Sequence, residues 1–198
     1  MLPLFSDYPS FDAVRAACSR CVACTLSAGR GQAVFGAGSA QANLMLIGHG
    51  PSLTDDQTGL PYSGPAGDLL DTALAQAGLR RDQVWITNLH KCIATRIDKQ
   101  TGRSVQRPPR LDEISACAPW LEQEILWVQP RVLVAIGGPA AQVLLGKGFQ
   151  LTTQRGQWQT GPHGLPTMGI VQPTYLKRLN EHDRPAAVQG WRDLVADL

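Results

Sequence analysis

No stretch of the chain approaches the roughly 18 consecutive apolar residues that a membrane-spanning helix requires. The amino-terminal segment from Met1 to Tyr8 also lacks the basic opening and long apolar run of a secretory leader. A cytoplasmic protein without a membrane partner is therefore expected, of bacterial type and at work on the nucleoid. Excess charge is nearly absent too, with 18 Lys and Arg against 16 Asp and Glu. A formal net charge of +2 does not by itself announce a nucleic-acid binder, although such a protein needs only a local basic face. There is no internal repeat and no low-complexity tract. What remains is a chain of 198 residues, 43% hydrophobic, enough for one compact domain with a core and too short for two full ones.

Four short aliphatic runs read as buried strands: residues 43–48, 84–88, 132–137 and 167–171, each bounded by Gly, Pro or Asn. Helical patterns alternate with them. A first stripe over 67–79 carries Leu70, Ala73, Leu74 and Ala77, and a second over 111–128 carries Leu111, Ile114, Cys117, Leu121, Ile125 and Val128. Residues 139–145 form a short apolar helix, and 185–198 place Val188, Trp191, Leu194 and Val195 inward. Alternation of this kind predicts an α/β fold: a single three-layer α/β/α domain, residues 1–198, around a four-stranded, mainly parallel sheet. In such sheets ligands bind where loops leave the carboxyl ends of the strands, which nominates the loops beginning after Gly48, at Asn88, at Gly137 and at Gln172.

Residues 95–110 break the rhythm. They hold Arg96, Lys99, Arg103, Arg107 and Arg110 with Asp98 as the sole acid, and read as a basic loop. Two readings fit, a solvated insertion or a contact to a nucleic-acid backbone that releases counterions.

Five cysteines in a cytoplasmic chain point to metal ligands, catalytic groups or inert core rather than disulfides. Cys21-x-x-Cys24 follows a short amphipathic helix bearing Phe11, Val14 and Cys18; Cys92 follows the second strand, and Cys117 lies on the apolar face of the long helix. A C-x-x-C turn lets two thiolates reach one centre, and two cysteines from the body can close a four-thiolate cage. Spacing alone does not separate zinc from iron–sulfur, and it leaves Cys18 over.

The chain resembles the iron–sulfur, family 4 branch of the uracil-DNA glycosylase superfamily. The resemblance rests on Cys21-x-x-Cys24-x-Leu26, Leu46-Ile47-Gly48-x-x-Pro51, the Gly/Pro-rich run Gly59 to Asp71, and Ile86 to Cys92. It continues through Ala116 to Leu121, Pro130 to Gly137 and Arg155-Gly156-x-Trp158. In the family's order these stretches span about residues 18–178. The resemblance implies a 4Fe-4S cluster on Cys21, Cys24, Cys92 and Cys117, tethering the N-terminal helix, with zinc as the lesser alternative. It implies DNA as partner, single-stranded or double-stranded with a flipped base, and a monomer is expected.

It also implies roles. Tyr62 corresponds to the aromatic that stacks on the flipped base, and Asn88 to the amide that identifies uracil, since a carboxamide offers both a donor and an acceptor. Gly48 and Gly50 belong to the base-binding wall. Gly64, Ala66 and Gly67 would leave backbone N–H groups free for a phosphate. Arg107 would contact DNA, and Lys177 and Arg178 would sit on the loop that enters the duplex.

Departures fall at the chemistry. Where the family usually has Gly-Glu-Ala-Pro-Gly, this chain has Gly48-His49-Gly50-Pro51-Ser52; where it has His-Pro-Ser, this chain has Gln172-Pro173-Thr174. The catalytic candidates thus become Gln172, whose amide can still donate to the departing base, and His49, the one new group able to carry positive charge near pH 7, unless it is simply a neutral loop histidine. Losing one preorganised donor costs about 2.7–4 kcal/mol, roughly 100- to 1,000-fold in rate. A related branch bonds a histidine covalently to the abasic site; Gln106 stands there, and an amide is a poor nucleophile. The expectation is a DNA glycosylase acting on uracil or another deaminated base, with lowered activity. The alternative is a non-catalytic relative that binds DNA or damaged bases.

Overall fold

The computed structural model describes residues 8–180 and 182–198; the residues 1–7 read above for a leader lie outside them. In chain order the helices are α1 (Phe11–Ser19), α2 (Leu53–Thr58), α3 (Pro65–Gln76), α4 (Leu111–Val128), α5 (Gly138–Leu145), α6 (Leu151–Gln154), α7 (Pro173–Asn180) and α8 (Arg184–Asp197). The strands are β1 (Ala37–Gly38), β2 (Leu44–Gly48), β3 (Trp85–Asn88), β4 (Thr95–Ile97), β5 (Ser104–Gln106), β6 (Val132–Ile136), β7 (Gln159–Thr160) and β8 (Pro166–Ile170).

The expected mainly parallel sheet is present, with β3, β2, β6 and β8 side by side and parallel. Alternation along each strand sends side chains to opposite faces. Met45, Ile47, Leu133 and Ala135 pack with Val14, Leu121 and Ile125 on one face; Leu46, Val134 and Ile136 pack with Leu70, Leu74 and Leu194 on the other. Two corrections apply to the sheet. It has six strands, because the two-residue β1 and β7 add antiparallel edges too short to show a pattern. The basic loop is a hairpin in which β4 and β5 pair antiparallel. Its turn is built by Asp98, whose Oδ1 accepts from the N–H groups of Gln100 and Thr101 and from the Thr101 hydroxyl, and by Gly102 at φ 65°.

The helices bring further corrections. Leu111 and Val188, assigned inward, are exposed. In the first turn of α4 the inward place belongs to Glu113, which is fully buried because Arg107 and Arg110 neutralise it. Lys177 and Arg178 lie on α7, which begins immediately after Gln172, rather than on a loop. Helix α2 was not expected; it is held by a capping box in which Ser52 Oγ accepts from the Asp55 N–H while Asp55 Oδ2 accepts from the Ser52 N–H.

The end of β3 is fixed from beneath by a buried ion pair. Lys91 Nζ donates to Glu124 Oε2 at 2.7 Å, to Thr87 Oγ1 and to the Asn88 carbonyl, and Glu124 also accepts from the Gly36 N–H. Both charged side chains are essentially without solvent contact. Removing one partner of a buried pair leaves an uncompensated charge and costs about 3–5 kcal/mol, whereas replacing both is far milder. Glu124→Leu is therefore expected to lower the urea midpoint strongly, and Lys91→Met with Glu124→Leu to recover most of the loss. A single variant as stable as the native protein would contradict this.

Candidate active site

The carboxyl ends of the four parallel strands meet around one cavity of about 280 Å³, near the lower end of the ~300–1,000 Å³ usual for ligand pockets. Its wall includes His49 and Gly50 after β2, His90 after β3, Pro139 after β6 and Gln172 after β8, together with Tyr62, Ala66 and Gln106. Residues from all four loops nominated by the strand-end rule line this cavity.

Next to the cavity-lining Tyr62, the parallel register sets Gly48 beside Asn88. A Cβ added to Gly48 would overlap Tyr62 Oη and Asn88 Oδ1, so only glycine lets these two side chains converge. Asn88 is 1% exposed, and neither its Oδ1 nor its Nδ2 has a hydrogen-bond partner. Each such buried, unmade bond costs about 1–3 kcal/mol.

Tyr62 is buried at φ 53°, a left-handed conformation unusual for a side chain of its bulk. Gly67 permits it, since a Cβ there would overlap the Tyr62 carbonyl. Burial, and then the nearby Asp55 carboxylate, pushes the Tyr62 phenol above its ordinary range, so it stays neutral. Among the three residues expected to offer N–H groups to a phosphate, Ala66 lines the cavity, Gly64 precedes α3, and the Gly67 N–H already donates to the Gly64 carbonyl at 2.7 Å.

His49 is half-buried, and desolvation lowers its pKa from 6.5, which favours the neutral ring at pH 7 rather than a positive charge. Its ring meets His90 edge to face, centroids 5.5 Å apart. His90 is a cavity residue that sequence reasoning missed. Burial takes its pKa down to about 4, with His49 adding to the effect against a hydrogen bond to the Cys92 carbonyl. Its signals were its place in a nominated loop and within the stretch Ile86 to Cys92, two residues before a cysteine. Gln172 is exposed at the rim beside Gly137. Gln106 reaches the wall, where its Nε2 donates to the Pro51 carbonyl at 3.0 Å.

Arg107 is committed within the protein. Its guanidinium grips both oxygens of Glu113 and also donates to the carbonyls of Thr95 and Pro108. That pairing holds the Glu113 carboxyl at about 2 and anchors the hairpin to α4. Arg96, Lys99 and Arg103 instead stand exposed on the hairpin, and Lys177 and Arg178 on α7.

Behind the loop after β3, Cys21, Cys24, Cys92 and Cys117 line one small cavity, joined there by Cys18, Arg30 and Lys91. Arg30 Nη1 donates to Cys92 Sγ at 3.1 Å and to the Cys21 carbonyl, and the Lys91 N–H donates to Cys117 Sγ at 3.1 Å. Burial raises the Cys117 thiol to about 12 and also raises the Cys92 thiol, against the Arg30 hydrogen bond. Among the described residues no three Cys, His, Asp or Glu side chains are grouped tightly enough to hold a single metal ion.

A family model described as the uracil DNA glycosylase superfamily matches residues 35–195. The chain is 34% identical over 163 residues to the type-4 uracil-DNA glycosylase of Thermotoga maritima, covering 80% of this chain and 79% of that protein. It is 36% identical over 125 residues to the type-4 uracil-DNA glycosylase of Pyrobaculum aerophilum, covering 63% and 59%. To that of Sulfurisphaera tokodaii it is 34% identical over 160 residues, covering 78% and 68%.

Proposed function

The chain belongs to the uracil-DNA glycosylase superfamily, and on that premise we propose that it hydrolyses the N-glycosidic bond of uracil in DNA, as a single monomeric domain. The observation that carries this reading is the buried, unpartnered carboxamide of Asn88 facing Tyr62 across Gly48. A flipped uracil satisfies both amide atoms, O4 accepting from Nδ2 and N3–H donating to Oδ1, while the Tyr62 ring supplies a flat apolar platform. Gln172 donates to the departing base from the rim. His49, neutral in its surroundings, adds no full positive charge, and this supports an activity below that of relatives with the usual Glu and His.

Restoring those residues tests the proposal. On a single-stranded oligonucleotide with one uracil, the native protein is expected to cut slowly. His49→Glu with Gln172→His is expected to cut faster by roughly 100- to 1,000-fold, the worth of one preorganised donor. Strong activity in the double variant with none in the native protein would favour the second reading, a relative that binds damaged DNA without cutting it. No covalent adduct is expected, because Gln106 is an amide already bonded to Pro51.

The same reading assigns a 4Fe-4S cluster to Cys21, Cys24, Cys92 and Cys117. Two observations support it. Buried thiols need a strong cationic partner to become thiolates, and N–H donors already point at two of the sulfurs. Zinc, which four sulfurs would hold at about 2.3 Å, is the lesser alternative. When bound, such a cluster supplies a covalent tether between the N-terminal segment and the loop after β3.

DNA is the partner, single-stranded or double-stranded with the base flipped out, and its backbone is met by Arg96, Lys99 and Arg103 rather than by Arg107. Replacing all three with Ala is expected to flatten the dependence of log affinity on log salt by about 0.7 per residue on single strands. An unchanged slope would remove the hairpin from the interface.

A further inference from the structure

Gly50 has no side chain, and the space one would occupy is filled by the His90 imidazole: a Cβ added at Gly50 would overlap Nε2 and Cε1 of that ring. The ring is 3% exposed and forms part of the cavity wall. Its Nδ1 lies 2.9 Å from the Cys92 carbonyl oxygen. A carbonyl oxygen only accepts, so Nδ1 carries a proton, and in the neutral ring Nε2 then holds the lone pair. Among the described residues no donor is bonded to Nε2. The carboxylate on the same wall, Asp55, is occupied on both oxygens, by the Ser52 N–H on one and by the Ser63 N–H and hydroxyl on the other. Glu113 is spent on Arg107. His90 Nε2 is therefore a strong acceptor left to the cavity, oriented by the Cys92 carbonyl in a way that no bond orients the neighbouring His49 ring among the described residues.

We propose that His90 is a catalytic residue of this chain, its Nε2 holding the attacking water in the space above Gly50. The assignment rests on the reading of the chain as a uracil-DNA glycosylase. The bond from C1′ to N1 of the base breaks, and its electron pair leaves on the base. A lone pair of the held water forms the new C1′–O bond, and the proton the water sheds ends on the departed uracil. His90 accepts one hydrogen bond throughout and need not change its own protonation. Orientation is its whole contribution, and the Cys92 carbonyl supplies it by fixing the tautomer and the ring. Gly50, which offers no group of its own, makes the room.

The test uses the iron-loaded protein and two variants. His90→Asn places an amide N–H where Nδ1–H stands and nothing where Nε2 stands. Gly50→Ala pushes a methyl group into Nε2 without replacing His90 or any cysteine. Three quantities are read: iron content, affinity for an oligonucleotide carrying non-cleavable 2′-fluoro-deoxyuridine, and the single-turnover rate of uracil release with enzyme in excess. Both variants are expected to keep their iron, and His90→Asn to bind the analogue within about twofold, yet each to release uracil about 100-fold more slowly or worse, the usual cost of a misplaced reactant. The double variant is expected to be no slower than either single one, because both remove the same interaction. A His90→Asn rate within about threefold of native overturns the assignment and leaves uracil excision standing. If His90→Asn loses its iron, Gly50→Ala decides, and a near-native rate there overturns it equally. A native protein that releases no uracil overturns both the assignment and the reading beneath it.

Discussion

Asn88→Ala is expected to lower kcat/KM on uracil-containing DNA by about 1,000-fold or more while leaving the folded protein as stable as before. The two halves of that expectation have one cause. In the free protein the carboxamide is buried with both polar atoms unpaired, so it destabilises the fold. Deleting it removes a burden of about 1–3 kcal/mol per unmade bond, set against the lost packing of a few atoms. In the proposed complex the same two atoms match the donor–acceptor edge of uracil, and losing them would leave the base's own polar groups buried and unpaired. A residue with a purely structural role would behave in the opposite way, costing stability and sparing turnover. Steady-state kinetics and a urea midpoint on the same preparation separate the cases, and an activity within tenfold of native would take base reading away from Asn88.

The second large effect concerns the cysteines. Cys117→Ser is expected to abolish broad absorbance near 400 nm, reduce iron to background and yield protein that is largely unfolded or insoluble. A structural metal centre can contribute about 10–16 kcal/mol in small zinc domains. That is comparable with the whole stability of an ordinary domain, about 5–15 kcal/mol. Here the centre would join the Cys21–Cys24 segment to Cys92 and to α4, with Arg30 bridging the Cys21 carbonyl and Cys92 Sγ. Cys18→Ala is the matched control. Its thiol lines the same cavity and is held well above the ordinary thiol range chiefly by burial, and the assignment makes it a packing residue. Iron content is expected to survive its loss. Loss of iron from Cys18→Ala with retention in Cys117→Ser would invert the ligand set, and colourless protein with stoichiometric zinc would replace the cluster.

These expectations draw on features that were unequally legible in the sequence. The four central strands announce themselves because short, aliphatic, turn-bounded runs leave little else for a backbone to do, and the loops that the strand-end rule nominates bring His49, His90, Pro139 and Gln172 to one cavity. Edge strands of two residues carry no period. Helix α2 has only its capping box, Ser52 with Asp55, and six residues of mixed polarity. The hairpin was hidden by its charge, although Asp98 and Gly102 form a recognisable turn. Leu111 looked like core by spacing alone, but the buried Glu113 two residues on takes that place through a partner six residues earlier, and pairing of that kind leaves no pattern. His90 stayed invisible for a related reason. Its importance depends on what Gly50 lacks, and the two meet only after β2 and β3 lie side by side.

The central claim, that the cavity around Asn88 excises uracil from DNA, is tested most directly by a base panel. Single-stranded oligonucleotides identical except for one uracil, hypoxanthine or xanthine are incubated with the iron-loaded protein, then treated with hot alkali to break the strand at any abasic site. Cleavage at uracil, slow but complete with time and abolished in Asn88→Ala, is the expected result. Intact oligonucleotides across the whole panel would contradict the account.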